Sequence, residues 1–356
     1  MRTPSPSLTL SLGLLAGACL AGGGARAGAN TNADADAGAV RAAEAPAAAC
    51  ALRAGPGCYR SFAVPGSGGT LPYYASLPEG AAPVRLLIGV HGHPRDAGRT
   101  FDALLQAARN AGRAADTLVV APVFPVADAD AAKCRAPGTP SPAPGDLRWT
   151  CASWIDGGLS AGERPVTSFA ALDALMAEAA RRWPSVRSVT VAGFSAGAQM
   201  VQHAIGFARP PAGLPVRYVV ADPGSWLYFD PVPGADAAAC PGANRWKYGT
   251  EGLPAALGRG AAEARARYAA ADIAYLAGAL DDGDRPGAFY RILDKSCAAE
   301  AQGPARLQRA TAYADYDRAV LAPAKPRSLA VVPGCAHDVA CVFPSEAARP
   351  ALFGAP

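Results

Sequence analysis

Charge is scarce in this chain of 356 residues: only 17% are Asp, Glu, Lys or Arg, and the net charge is +4. No run of Lys or Arg occurs, so the basic stripe that follows a phosphate backbone is missing and nucleic-acid binding has no support. Histidine is scarcer still, at four residues: His91, His93, His203 and His337. A catalytic zinc usually draws on three protein ligands, and His91-x-His93 with Asp96 has no further histidine cluster to complete such a set. No metal and no cofactor are therefore expected. No long apolar run is available to cross a bilayer either: Leu8 to Leu20 is too short for that. There is no internal repeat, and residues 28–49 hold no aromatic side chain to seed a core.

What is present begins with that short apolar stretch. With Arg2 before it and Ala25-Arg26-Ala27 after it, it has the layout of a removable export signal over residues 1–27. Cys19, preceded by Leu-Ala-Gly-Ala, leaves lipoprotein processing as an alternative, and membrane attachment is expected only if Cys19 is lipidated. The expected location is secreted or periplasmic. Residues 28–49 read as a flexible linker. Setting Cys19 aside leaves eight cysteines, an even set that behind an export signal argues for disulfides. Sequence-neighbour pairing is the expectation: 50 with 58, 134 with 151, 240 with 297, 335 with 341.

Hydrophobic residues make up 51% of the chain, ample for a sizeable core. Strands are expected at Arg60–Val64, Thr70–Ser76, Val84–Val90, Thr117–Phe124, Val186–Phe194, Val216–Ala221, Ile273–Leu280 and Ser328–Val332, the first two as edge strands. Helices are expected over about 100–111, 168–183, 198–208, 261–271 and 305–321. Strands alternating with helices imply an α/β fold, a mostly parallel twisted sheet with helices on both faces. It would occupy residues 50–356, with disulfide-bearing insertions at 125–165 and 223–260.

The stretch Val186 to Gln199 runs strand, Gly193-Phe194-Ser195-Ala196-Gly197, helix. A G-x-S-x-G set between strand and helix puts the serine on a sharp turn, its hydroxyl held above the sheet edge. Ser195 is the candidate nucleophile and needs a base. His337, after the final strand, is the candidate. The base needs an acid to fix its tautomer. Asp281 is favoured because it leaves its strand end first, with Asp282 and Asp284 as near alternatives and Asp222 as a remoter one. The oxyanion needs two backbone donors. Ala196 N–H is one. His93 N–H is the other, since Pro94 has none to give. Trp226 and Trp246, in the second insertion, are candidates for binding an apolar acyl or aromatic group, although such insertions also pack on themselves.

With H-G at 91–92, G-F-S-A-G at 193–197, G-A-L-D at 278–281 and G-C-A-H-D at 334–338, the chain resembles the α/β-hydrolase superfamily over about residues 60–350. It is most similar to poorly characterised exported bacterial members that also carry N-R-W-K-Y-G (here Asn244 to Gly249) and S-C-A-A-x-A-Q-G-P (here Ser296 to Pro304). The resemblance implies a serine hydrolase. Ser, then Asp, then His is the chain order of that superfamily. The expected activity is carboxylic ester hydrolysis through an acyl-enzyme, on a small-molecule or polymer ester. A peptidase or amidase on the same residues, and a non-catalytic binding protein on the same scaffold, are the alternatives.

Overall fold

All eight apolar stretches form strands: β1 (Tyr59–Ala63), β2 (Thr70–Ala75), β3 (Arg85–Val90), β4 (Thr117–Pro122), β5 (Ser188–Phe194), β6 (Val216–Ala221), β7 (Asp272–Gly278) and β8 (Leu329–Val332). They make one sheet in the order β1-β2-β4-β3-β5-β6-β7-β8. The pairs from β4 through β8 are parallel, while β1–β2 and β2–β4 are antiparallel. The edges are thus β1 and β8. β2, expected at an edge, is interior, because it pairs with β4 as well as with β1. This computed structural model describes residues 49–233, 235–236 and 238–354. The signal expected at 1–27, Cys19, and the linker up to residue 48 lie outside the described residues.

The five main helices are α1 (Ala97–Asn110), α2 (Ser168–Arg182), α3 (Ala196–Ala204), α4 (Ala261–Ala270) and α5 (Arg306–Tyr316). Short helical turns such as Cys297–Glu300, Val339–Val342 and Arg349–Phe353 lie between and after them. None of the described helices is long and apolar enough to cross a membrane. α2 starts where it does because the Thr167 side chain accepts from Ala170 N–H at 3.1 Å, which satisfies a donor the helix itself cannot. α5 gives way at Tyr316 to a wide π turn over Asp317–Leu321, earlier than its apolar pattern suggested.

Side chains alternate across each strand, so the sheet feeds two cores. Leu86, Ile88, Val120, Val189 and Val191 face one, packed with Phe169, Leu172 and Met176 of α2, Met200 of α3, Tyr268 of α4 and Tyr313 of α5. Leu87, Val119, Ala121, Ala192 and Phe194 face the other, with Phe101, Leu104 and Leu105 of α1 and the C-terminal residues Val342, Phe343 and Leu352. Burial on both faces is why the parallel strands read as continuous apolar runs. The carboxyl ends of β3, β5, β6, β7 and β8 meet along one rim of the sheet, which is where such folds hold ligands.

Among the described residues there are four disulfides: Cys50–Cys58, Cys134–Cys151, Cys240–Cys297 and Cys335–Cys341. They join sequence neighbours throughout, as expected.

Candidate active site

β5 ends at Phe194, and α3 begins at Ala196, so Ser195 alone makes the turn. Its backbone is at φ 58° and ψ −123°, a region that residues with a Cβ seldom occupy and that persists only where the surroundings enforce it. The surroundings here are close backbones. A Cβ on Gly193 would run into the Gly197 peptide, and one on Gly197 would run into the carbonyls of Val90 and His91. The two glycines are therefore a steric requirement of the crossing. Ser195 N–H is fixed by Ala221 O at 3.0 Å. Ala196 N–H belongs to the first turn of α3, where donors have no intrahelical acceptor and the helix end is positive.

The Ser195 hydroxyl lies 2.8 Å from His337 Nε2, and His337 Nδ1 lies 2.7 Å from Asp281 Oδ2. Three groups from three loops thus form one hydrogen-bonded line. Asp281 leaves the end of β7 through a turn in which its N–H donates to Gly278 O at 3.1 Å. His337 leaves β8 inside the loop closed by Cys335–Cys341, and its N–H donates to Gly287 O at 3.2 Å. The ring of Phe194 covers one side of the imidazole at a centroid distance of 4.8 Å. Burial pushes the His337 imidazole below its ordinary value of 6.5; the Asp281 bond opposes this, and the nearby Arg306 guanidinium adds to it. A neutral imidazole with Nδ1–H given to a carboxylate keeps Nε2 free to accept the serine proton. Asp282 turns instead to Arg285, 2.9 Å away, and Asp284 is exposed.

The loop after β3 sits against the serine: a Cβ on Gly92 would lie 3.8 Å from the Ser195 Cβ and 3.3 Å from Asp96 Oδ1. The peptide that carries His93 N–H has Gly92 O at its other end. That carbonyl accepts from His91 Nδ1 at 2.8 Å and from Arg95 N–H at 3.1 Å, so the peptide cannot turn over. Among the described residues, His93 N–H meets no acceptor. His91 Nε2 accepts from Phe124 N–H at 3.1 Å, which leaves the ring without a free lone pair for a metal. Burial, with the charge of Arg95 adding, pushes its imidazole down to about 3. Arg95 is itself buried, and its guanidinium donates to the carbonyls of His93, Phe124, Thr150, Cys134 and Cys151. It ties the loop to the chain around the Cys134–Cys151 disulfide. The pairing of His91 with His93 thus belongs to the loop's architecture.

Asp222, Asp281 and His337 bring potential ligand atoms within 4.8 Å of one another. The Arg306 guanidinium, 3.1 Å from Asp281 Oδ1, already supplies the cation there.

Compared with known proteins, the sequence matches no family model and no curated protein. Solved structures do match. One is poly(aspartic acid) hydrolase-1 from Sphingomonas sp. KT-1, at 20% identity over 83% of this chain and 98% of that one, with a TM-score of 0.55. Another is a poly(3-hydroxybutyrate) depolymerase from Bordetella parapertussis, at 22% identity over 79% of this chain and 83% of that one, with a TM-score of 0.54. The chain has the α/β-hydrolase fold.

Within this fold the two tryptophans expected at a substrate face pack away from the serine. Trp226 is fully buried, stacked on Tyr313 at 4.3 Å. Its backbone is held by Gln302, which donates to Trp226 O and accepts from Trp226 N–H, each at 2.8 Å. Trp246 packs on His203, in the last turn of α3, and on Phe207 beyond it. The loops over 125–165 and 223–260 spend their tryptophans on the core: Trp149 and Trp154 pack on Phe124, and Trp154 also meets the His91 ring at 4.6 Å. An aromatic in a long loop reads the same whether it faces ligand or core. Arg306, two residues past the S-C-A-A-x-A-Q-G-P stretch, also belongs to the site and is not among the sequence candidates.

Proposed function

We propose that this protein is an exported serine ester hydrolase working through an acyl-enzyme on Ser195. The hydrogen-bonded line from Ser195 Oγ through His337 to Asp281 Oδ2 carries this reading. On it, Nε2 of His337 takes the hydroxyl proton as Oγ attacks the ester carbonyl. Asp281 holds the ring and stabilises the imidazolium that forms. The N–H groups of Ala196 and His93 hold the oxyanion of the tetrahedral intermediate. His337 then gives its proton to the leaving alcohol, and a water molecule repeats the sequence to release the acid. The export reading is supported by the layout of residues 1–27 and by four disulfides.

The two structural neighbours named above act, by their names, on polymers. A polymer ester is accordingly included among the substrates proposed here. Hydrolysis of a p-nitrophenyl ester series, compared with the matching anilides, tests the reading on the mature protein. Ester turnover that disappears in Ser195→Ala is the expected result. Anilide turnover of equal rate points to an amidase, and no turnover of either points to a binding protein on this scaffold.

A further inference from the structure

Arginine is an odd first residue for a helix. The amino end is positive, and a cation there is disfavoured, yet α5 starts with Arg306 and has no side-chain cap. The side chain is also buried, at 4% exposure. Its Nη1 donates to Asp281 Oδ1 at 3.1 Å and to Ala288 O at 2.7 Å. The next residue, Leu307, donates its N–H to Asp281 O at 3.0 Å. Asp281 is therefore gripped at both its carbonyl and its carboxylate by the start of one helix. Arg306 takes Oδ1, which leaves Oδ2 for His337.

The start of α5 is itself held by an unusual bracket. Ser296 Oγ caps the turn Cys297–Glu300, and Cys297 is bonded to Cys240. Gln302 is fastened to the Trp226 backbone. Arg309, one turn into α5, donates to the carbonyls of Gly303, Asp294 and Gly224. Tyr248 donates its hydroxyl to Asp294 Oδ2 at 2.5 Å, and Ser296 Oγ donates to that hydroxyl at 3.0 Å. The N-R-W-K-Y-G and S-C-A-A-x-A-Q-G-P stretches thus meet in one mount, and neither reaches the nucleophile directly.

We propose that Arg306 is a positioning residue for the Ser195 site: mounted by the 294–304 segment, its guanidinium orients the Asp281 carboxylate and, through it, the His337 ring. The assignment rests on the hydrolase reading above. A second acid makes the need plain. Asp222 is fully buried beside Asp281, accepts from Gly278 N–H at 2.9 Å through Oδ1, and its Oδ2 has no partner among the described residues. Burial and the neighbouring Asp281 charge push Asp222 well above the ordinary carboxylate range. Asp222 and Asp281 thus bring two carboxyl groups within 4.8 Å of the imidazole's ligand atoms, and Arg306 donates to Asp281. The titratable and charged groups that face His337 are Asp281, Arg306, Asp222 and Asp96, with the Arg99–Asp338 pair beside its loop. Arg306 is the cation among them that reaches the acid directly.

The test is the pH profile of kcat and kcat/KM for a p-nitrophenyl ester, measured on the full mature protein with Arg306→Gln, Arg306→Lys and Ser195→Ala. Arg306→Gln is expected to lower kcat about 10–100-fold, the loss typical when the orienting partner of a site residue is removed, with KM within about twofold. Its acid limb moves to higher pH, because His337 loses a neighbouring positive charge. Removing one partner of a buried pair can unfold a chain, so Arg306→Lys is the second reading. It keeps the charge without the planar fork: the acid limb stays, and kcat is still reduced. Wild-type kcat in Arg306→Lys overturns the assignment, as does an Arg306→Gln enzyme with an unmoved acid limb. If the lysine variant's limb moves as far as the glutamine variant's, the role is architectural and the assignment also falls. If Ser195→Ala retains activity, the hydrolase reading falls and takes the Arg306 assignment with it. If Ser195→Ala is inactive while an Arg306 variant behaves as wild type, only Arg306 is wrong.

Discussion

His337 sits between groups that pull it in opposite directions. Burial and Arg306 favour the neutral ring, and the Asp281 bond favours the charged one, with a net downward push. A base must be neutral to accept a proton, so a lowered value moves the acid limb of kcat/KM below the ordinary histidine value of 6.5. Activity is expected to hold as pH falls to that point and to decline beneath it; a limb centred above it contradicts the geometry. The acid can be separated from its neighbours by the same kinetics. Asp281→Asn is expected to reduce kcat on the order of a thousandfold or more, since the ring loses its tautomer control. Asp282→Asn and Asp284→Asn, whose side chains turn to Arg285 or to solvent, are expected to stay within about twofold of wild type.

At the scale of elements, the strand–turn–helix crossing at Ser195 is tightly specified. Backbone approaches on both sides of Ser195 leave no room for a methyl group at residue 197, where the carbonyls of Val90 and His91 press in. Gly197→Ala is expected to destabilise the protein by about 1–3 kcal/mol or more and to reduce activity more than that loss of fold explains; a denaturant titration checks the first part. That crossing was legible beforehand because G-x-S-x-G states its own steric rule. The strands were legible because burial on both faces makes each a continuous apolar run, and all eight appeared within a few residues of their expected bounds. The position of β2 was not, since its second neighbour, β4, lies more than 40 residues away in sequence. The tryptophans misled for a related reason: loop aromatics such as Trp226 carry no periodicity to say which way they face. Arg306 carried a local signal, a cation at a helix start, but its meaning depends on Asp281, brought alongside by tertiary packing.

At the scale of the molecule, the four disulfides of the described residues join segments outside a sheet that two cores already stabilise. They are not equivalent. The chain-entropy relation gives about 4 kcal/mol for a loop as long as that of Cys240–Cys297 and about 2 for one as short as that of Cys335–Cys341, the separations being 57 and 6 residues. Serine pairs at 240 and 297 are expected to lower the melting temperature more than serine pairs at 335 and 341. The latter frame His337 and are expected to lower kcat more than they lower stability. Thermal melts and ester kinetics on the two double variants check this, and identical effects in both would contradict it. The central claim is that Ser195 is a nucleophile activated by His337. The most direct measurement is intact-mass detection of a fluorophosphonate adduct, mapped by peptide digestion, on wild type, Ser195→Ala and His337→Ala. The expected result is one adduct on Ser195, none in Ser195→Ala, and much slower labelling in His337→Ala. Labelling on another residue, or equal rates with and without the imidazole, would contradict the claim.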